Sequence, residues 1–312
     1  MTRVIVHCLC GLLLSLSWQA QSQDLSTQVR YQTLESDGVN IFYREAGKPS
    51  DTAIVLLHGF PSSSHMYRDL LPKLSDDFYL IAPDYPGYGY SEKKSIQEYK
   101  YTFENVASTM DEFLSQKGLK RYVLMVHDFG APIGFRIATK HPEKVAGIIV
   151  MNGNIYEEGL GKGITALVKL IRTPKAEAKI IADNLSFDAL KWQHTHGTRS
   201  PSSINPDSWH HDYAVMSQNG VKDVNLDMLF DYKNNLPLYS VWQKFLRVNQ
   251  PPLLVVWGKN DAIFTENGAA AYKNDVKSVD YNILNTGHFA LNEDATLISE
   301  KMRAFLNRIE FK

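Results

Sequence analysis

Short apolar runs alternate with longer amphipathic stretches along most of this chain. Two runs, 29–34 and 39–45, flank Ser36-Asp37-Gly38 and predict an antiparallel hairpin. Six later runs are typical of strands buried on both faces. These lie at 53–57, 78–81, 122–126, 147–151, 253–257 and 279–284. Because the stretch 103–116 has apolar residues at helical spacing, we predict an α/β fold with a mostly parallel central sheet flanked by helices.

The alternation stops after residue 152 and resumes at Pro251-Pro252. The intervening segment is rich in Trp, Tyr, His and Asn, and helical patterns occur around 164–170 and 176–182. A helical insertion between two strands of one sheet is best interpreted as a cap over the edge of that sheet. We therefore predict a core formed by 23–152 and 251–312, with a helical cap at 153–250.

The first 22 residues follow a different pattern. Arg3 precedes a mainly apolar stretch at 4–17, and small polar residues continue to Ser22. This stretch is shorter than the roughly 20 residues of a membrane span but typical of a secretory signal. We predict a signal peptide at 1–22, export to the periplasm or the medium, and no stable membrane span after its removal. An uncleaved anchor is the alternative, and both cysteines, Cys8 and Cys10, lie within this segment.

The composition of the 312 residues is that of an ordinary globular protein, with 44% hydrophobic and 21% charged residues. Lys and Arg number 33 against 34 Asp and Glu, and the formal net charge is −1. Because no basic excess is present, we predict no nucleic-acid partner. The near-zero charge agrees with a small apolar substrate, and the oligomeric state is left open.

Four polar segments directly follow predicted strands. The carboxyl ends of parallel strands meet at one edge of a sheet, where open α/β sheets form their sites. The segments are His58-Gly59-Phe60-Pro61, His127-Asp128-Phe129-Gly130, Gly258-Lys259-Asn260-Asp261 and Thr286-Gly287-His288-Phe289. Along the chain, Asp128, Asp261 and His288 follow the nucleophile, acid and histidine order of an α/β-hydrolase triad. No G-x-S-x-G occurs, and Asp128 stands where the serine would be.

These motifs, together with Asp84-Tyr85-Pro86-Gly87-Tyr88-Gly89-Tyr90-Ser91, carry a family resemblance. Over essentially the whole chain after residue 22, the sequence resembles α/β-hydrolases of the epoxide hydrolase and haloalkane dehalogenase branch. The resemblance implies the α/β-hydrolase fold with a helical cap. It also implies an enzyme that acts through an aspartate nucleophile.

An aspartate at the nucleophile position suits attack at an sp³ carbon that bears a leaving group. The product is an alkyl-enzyme ester, which water must then hydrolyse. We predict Asp128 as the nucleophile, His288 as the general base and Asp261 as the residue that orients His288. The backbone N–H groups of Phe60 and Phe129 are the expected oxyanion-hole donors.

Simpler interpretations of these residues exist. Asp128 alone could cap a helix, and Asp261 alone could be a turn residue. Asn152, at the end of the preceding strand, occupies the rival position for the acid but has no carboxylate.

The leaving group separates two enzyme hypotheses. Dehalogenases hold the halide with an indole N–H beside the nucleophile and an Asn or Trp elsewhere, whereas this chain has Phe129 and Phe60 at two such positions. The His-Gly-x-Pro form at 58–61 is typical of epoxide hydrolases, although fluoroacetate dehalogenases share it. Epoxide opening is therefore our first hypothesis, and a haloalkane or haloacid dehalogenase is the second. A non-catalytic ligand-binding protein is the third.

Several cap residues are candidates for contact with the leaving group. An epoxide hydrolase needs an acid, for which the resemblance implies cap tyrosines, whereas Trp192 could donate to a halide. The tyrosine candidates are Tyr156, Tyr232 and Tyr239. The pairs His194-x-His196 and His210-His211 have no acidic or thiol partner at the spacing of a closed metal site, so we predict no metal and no cofactor.

Overall fold

The computed structural model describes residues 28–309 and 311. The predicted signal peptide therefore lies outside the described residues. Eight strands form one sheet in the order β1-β2-β4-β3-β5-β6-β7-β8. They are β1 (Arg30–Ser36), β2 (Val39–Ala46), β3 (Thr52–Leu57), β4 (Leu80–Pro83), β5 (Arg121–His127), β6 (Val145–Met151), β7 (Leu253–Gly258) and β8 (Val279–Leu284). The hairpin β1–β2 is antiparallel, β2 joins β4 antiparallel, and the pairings from β4 to β8 are parallel.

Eleven α-helices accompany this sheet in the described part of the chain. They are α1 (Leu71–Leu74), α2 (Phe103–Gln116), α3 (Gly130–Lys140), α4 (Lys162–Leu167), α5 (Pro174–Asn184), α6 (Phe187–Thr195), α7 (Asp207–Met216), α8 (Val221–Asp231), α9 (Tyr239–Asn249), α10 (Glu266–Asp275) and α11 (Leu291–Arg308). A 3-10 segment, Tyr232–Leu238, joins α8 to α9. Helices α4 to α9 all fall between β6 and β7 in the chain. Within residues 28–309, no helix is long and apolar enough to cross a membrane.

The central strands are apolar throughout because both faces of the sheet are covered. In β3, Val55 and Leu57 join the core beneath α2, α3 and the cap, whereas Ile54 and Leu56 join the core beneath α1 and α11. All four side chains are fully buried. Burial on both faces removes the alternating pattern of a half-exposed strand and explains the continuous apolar runs in the sequence.

The bounds of the predicted strands agree with those in the structure to within two residues, and two differences have a clear physical reason. The fourth strand begins at Leu80 rather than at residue 78, because the Phe78 N–H donates to the Leu74 carbonyl and extends the turn after α1. The last strand, β8, was expected to be buried on both faces. It lies instead at the edge of the sheet, and five of its six residues are half-buried.

Candidate active site

Asp128 occupies a sharp turn between β5 and α3. Its φ angle is +49°, in the left-handed region that non-glycine residues seldom adopt. The turn also needs a close approach of α3 to the sheet, since a Cβ on Gly130 would lie 2.2 Å from the Leu57 carbonyl oxygen. A side chain at residue 130 is therefore excluded, and the carboxylate of Asp128 is held at the carboxyl end of the sheet.

One oxygen of Asp128 is bound by two backbone amides. Its Oδ1 accepts hydrogen bonds from the N–H of Phe60 at 2.7 Å and the N–H of Phe129 at 2.6 Å. Gly59 permits this approach, because a Cβ there would lie 2.4 Å from the Asp128 Cβ. The carboxylate bonds no amide further along α3, so it does not act as the helix cap that the simpler interpretation proposed.

His288 lies between the two aspartates. Its Nδ1 is 2.7 Å from Asp261 Oδ2, and its Nε2 is 3.7 Å from Asp128 Oδ2. The second distance is too long for a hydrogen bond. The Nε2 atom is buried and has no hydrogen-bond partner among the described residues. The imidazole is thus oriented by Asp261, and its free nitrogen faces the outer oxygen of Asp128.

The Asp261 carboxylate is held by groups from three segments of the chain. Its Oδ1 accepts from the backbone N–H groups of Ile263 and Phe264 at 2.7 and 3.1 Å. Its Oδ2 accepts from the Asn152 side-chain amide at 2.7 Å as well as from His288. Asn152 also accepts from the Gly258 N–H at 3.1 Å, so it joins the end of β6 to the end of β7. In the sequence, Asn152 is notable only for lacking a carboxylate, and no local pattern indicates this contact.

Burial controls the protonation of these groups. It raises the pKa of the Asp128 carboxyl to about 6, against the opposing effect of His288 and the two amide hydrogen bonds. For His288, burial alone lowers the pKa, but the charges of Asp261 and Asp128 and the Asp261 hydrogen bond raise it above its ordinary value. The adjacent His127 has a pKa far below the ordinary value because of burial and the nearby His288. His127 therefore adds no positive charge to the site.

A cavity of about 660 Å³ extends from Asp128 to the surface between the core and the cap. Most of its wall is apolar, with side chains from both parts of the chain. These include Phe60, Phe129, Ile164, Leu167, Leu170, Ile180, Leu229 and Ile263. Gln193 also lines the cavity, is only 6% exposed, and its amide makes no hydrogen bond to the described residues. The cavity thus joins a mostly apolar wall to the Asp128 carboxylate, a composition suited to apolar ligands.

The cap residues predicted to meet the leaving group occupy three different places. Tyr232 and Tyr239 are buried with their hydroxyl oxygens 3.3 Å apart, and the Tyr232 ring lies 6.0 Å from the Phe129 ring. Trp192 lines the cavity and is 44% exposed. The Tyr156 hydroxyl donates to Asp275 at 2.7 Å, so this candidate is bound elsewhere and is not available to a leaving group.

Arg136 and the cap histidines are also engaged away from Asp128. Arg136 donates to Glu104 and Asn235 and does not line the cavity. His194 pairs with Asp212 at 2.9 Å, an acidic partner that sequence spacing did not reveal. Across residues 28–309, no three His, Cys, Asp or Glu side chains are arranged so that they could hold a metal ion.

Most of the chain is similar to known proteins of one family. The sequence matches the family described as alpha/beta hydrolase fold over residues 52–295. It is 38% identical over 271 residues to an uncharacterized hydrolase of Saccharomyces cerevisiae, covering 85% of this chain and 93% of that protein. It is also 38% identical over 137 residues to haloalkane dehalogenase 2 of Mycobacterium tuberculosis, covering 44% and 47% of the two chains.

A solved structure gives the same result for the fold. The epoxide hydrolase CorEH superimposes with a TM-score of 0.73 at 20% identity and covers 90% of this chain and 100% of its own. At that identity the likeness concerns the fold alone. Together with the eight-stranded sheet and the family match over most of the chain, it identifies the architecture. The chain belongs to the alpha/beta hydrolase fold family.

Proposed function

We propose that this protein is an epoxide hydrolase that works through a covalent ester on Asp128. The observation that carries the proposal is the unequal environment of the two carboxylate oxygens. Oδ1 is bound by the Phe60 and Phe129 amides, whereas Oδ2 accepts no hydrogen bond from the described residues and lies 3.7 Å from His288 Nε2, and Asp128 lines the cavity. Such an aspartate has one oxygen free to attack and another already seated in an oxyanion hole.

The reaction has two steps on this geometry. In the first, Oδ2 attacks an epoxide carbon, the carbon–oxygen bond breaks, and its electron pair stays on the ring oxygen. That alkoxide takes a proton, for which we propose the Tyr232–Tyr239 pair as the source. In the second, His288 Nε2 takes a proton from water, which attacks the ester carbonyl while the Phe60 and Phe129 amides hold the oxyanion. The bond between the ester carbonyl carbon and Oδ2 then breaks, and the departing diol oxygen takes a proton from His288. The remaining proton, on the new carboxyl group, returns to the phenol, so the diol leaves and the carboxylate, the neutral imidazole and the tyrosine are restored.

The types of residue around Asp128 favour an epoxide over a halide. Phe60 and Phe129 both line the cavity, and neither side chain has an N–H to hold a departing anion. An epoxide oxygen stays attached to its substrate and needs a proton rather than a permanent anion site. The buried Tyr232 ring adjoins the Phe129 ring, and the Tyr232 hydroxyl oxygen lies 3.3 Å from that of Tyr239. Burial raises the pKa of Tyr232 well above its ordinary value, and the nearby charges of Tyr239 and Asp128 add to this effect.

One observation supports the dehalogenase alternative. Trp192 lines the cavity, and its indole N–H has no hydrogen-bond partner among the described residues. A panel of terminal epoxides and of matched chloro- and bromoalkanes separates the two functions. We expect diol formation from the epoxides and no halide release. Halide release with no reaction of the epoxides would favour the dehalogenase.

The choice of proton donor gives a second test. Tyr232→Phe is expected to lower kcat for epoxides about 100-fold, within the usual range for loss of a general acid. Tyr156→Phe is the matched control, because that phenol binds Asp275. It should leave kcat within about twofold. Equal effects of the two substitutions in steady-state assays would exclude Tyr232 as the acid.

The pH dependence follows from the two pKa shifts. Attack requires ionised Asp128, so kcat/KM should fall about tenfold per pH unit below a pKa of about 6. Ester hydrolysis requires neutral His288, whose pKa is raised, so kcat limited by this step should also fall on the acid side. Initial rates between about pH 5 and pH 9 test this. Activity that decreases from pH 6 to pH 8 would contradict these protonation states.

We further propose that the protein is exported after loss of residues 1–22, on the basis of the apolar stretch at 4–17. N-terminal sequencing of the protein recovered from its host tests this. A new N-terminus at residue 23 is expected, and a retained Met1 would contradict cleavage.

A further inference from the structure

A buried polar cluster joins the cap to two loops of the core. His194 of α6 and Asp212 of α7 are each only 2% exposed, and they pair through Nε2 and Oδ2 at 2.9 Å. Ser62, in the loop after β3, and Asn292, in the first turn of α11, bind this pair from the core side. We call these four residues the interface cluster. None of them takes part in the reaction steps described above.

The Asp212 end of the interface cluster holds the loop that carries Phe60. Ser62 Oγ donates to Asp212 Oδ1 at 3.1 Å, and the Ser62 N–H donates to the Gly59 carbonyl at 3.0 Å. The tight turn ties Ser62 directly to the residue that precedes Phe60. Burial raises the pKa of Asp212, but the hydrogen bonds from His194 and His211 outweigh it, so the carboxyl stays ionised. A buried carboxylate depends on such bonds.

The His194 end holds the loop that carries His288. Asn292 Nδ2 donates to His194 Nδ1 at 3.0 Å, and the Asn292 N–H donates to the Phe289 carbonyl at 2.9 Å. The His194 ring stacks on the Phe289 ring with centroids 4.0 Å apart. Because Nδ1 accepts a hydrogen bond, the proton of a neutral imidazole lies on Nε2 and is donated to Asp212. Both ring nitrogens are therefore used.

The sheet does not hold these two loops to each other. The Phe60 loop follows β3 and the His288 loop follows β8, and β5, β6 and β7 lie between those strands. A direct contact through neighbouring strands is therefore excluded. The interface cluster crosses this gap through the cap, from Ser62 to Asp212, His194 and Asn292.

We propose that the interface cluster positions the Phe60 amide and the His288 imidazole relative to Asp128, so that docking of the cap completes the active site. The four residues are positioning residues and touch no substrate. The kinetic consequence rests on the proposed function, because both positioned groups act in hydrolysis of the ester. A cap lacking these bonds would still cover the cavity but would no longer connect the Phe60 loop to the His288 loop through Asp212 and His194.

Two substitutions break the interface cluster at separate points. Ser62→Ala removes the bond to the Phe60 loop, and His194→Phe keeps the stacking on Phe289 but removes both nitrogens. Each is expected to lower kcat about tenfold with KM changed less than twofold, since small misplacements of catalytic groups are costly. In the double variant, kcat should fall by much less than the product of the two single decreases, because both substitutions act through Asp212. His194→Gln, which restores a donor and an acceptor, should recover most of kcat.

Asn235→Leu is the matched control. Asn235 is fully buried in the cap, accepts from Arg136 of the core at 2.8 Å, and makes no hydrogen bond to the Phe60 loop or the His288 loop. This variant removes a cap–core bond of similar kind and should lower the melting temperature without lowering kcat. If Asn235→Leu lowers kcat as much as Ser62→Ala, the interface cluster contributes only stability and the proposal is wrong.

A measurement made in the absence of substrate tests this positioning role independently of the proposed function. The Nδ1 proton of His288, shared with Asp261 at 2.7 Å, should give a low-field proton NMR resonance. His194→Phe is expected to shift or broaden this resonance, and Asn235→Leu is expected to leave it unchanged. An unmoved resonance in His194→Phe overturns the proposal whatever the kinetics show. If the wild type opens no epoxide, the proposed function fails and the resonance still decides the positioning role.

Discussion

Asp128→Asn is expected to abolish epoxide turnover, with kcat lowered by about 10⁴-fold or more, in the range seen for loss of a catalytic nucleophile or its partners. An amide oxygen is too weak a nucleophile to open the ring. Asparagine is the appropriate replacement, because it tolerates the left-handed φ of +49° at this position and its oxygen still accepts from Phe60 and Phe129. Alanine would add backbone strain to the loss of chemistry.

The same substitution is expected to stabilise the fold. Burial raises the pKa of Asp128 from the ordinary 3.8 to about 6, so the native state binds a proton more tightly than the unfolded state does. The free energy of unfolding therefore falls as the pH rises between these values, by roughly 3 kcal/mol at 1.4 kcal/mol per unit. At about pH 8 a neutral side chain at position 128 avoids this decrease in the free energy of unfolding. Thermal unfolding of the wild type and of Asp128→Asn at about pH 8 and pH 4 measures the difference.

A higher melting temperature for Asp128→Asn at the alkaline pH, with no difference at the acid pH, is the expected pattern. Loss of activity together with a lower melting temperature at both values would mean that the variant is misfolded. Activity within tenfold of the wild type would exclude Asp128 as the nucleophile.

His288→Gln is expected to separate the two chemical steps. Attack by Asp128 requires no base, whereas ester hydrolysis requires His288 Nε2 to take a proton from water. The variant should therefore form the alkyl ester and then stall, with steady-state kcat lowered by about 10³-fold or more. Intact-mass measurement should show a protein heavier by the mass of one substrate molecule. Since His288 lowers the pKa of Asp128, its removal raises that pKa further, and the experiment belongs on the alkaline side of neutrality, where ionisation of the carboxyl is favoured.

The double variant Asp128→Asn/His288→Gln is the control and should show no adduct. Rapid turnover by His288→Gln with no accumulated ester would contradict the role of His288 as the base. An adduct that survives in the double variant would show alkylation of another residue.

Much of the core could be predicted from the sequence, because local signals determine it. Strands buried on both faces give apolar runs, and the turns after them carry the residues that the sheet brings to one edge. Such turns mark Asp128, Asp261 and His288. In the structure, the two aspartate carboxylates lie on either side of the His288 imidazole. The error at β8 has the same origin, since the run of residues does not reveal that its strand lies at the edge of the sheet.

The contacts between distant segments could not be predicted in this way. Asn152 binds Asp261 across 109 positions of sequence, and Tyr156 binds Asp275 across 119. Neither partner follows from spacing or periodicity. Asn152 meets Asp261 because β6 pairs with β7, an adjacency that the apolar runs do not reveal, and Tyr156 lies in the insertion, where no strand register relates it to α10. The pairing of His194 with Asp212 is the clearest example. The sequence suggested at most a metal ligand, whereas the fold supplies a buried carboxylate.

The covalent ester on Asp128 is tested most directly by a single turnover in ¹⁸O-labelled water with enzyme in excess over an epoxide. If water attacks the ester carbonyl, the label enters the Asp128 carboxylate, and the diol carries the unlabelled oxygen that came from the enzyme. Mass spectrometry of the peptide that contains Asp128 and of the diol is expected to show this distribution. Label found directly in the diol, with an unlabelled Asp128 peptide, would contradict the covalent mechanism.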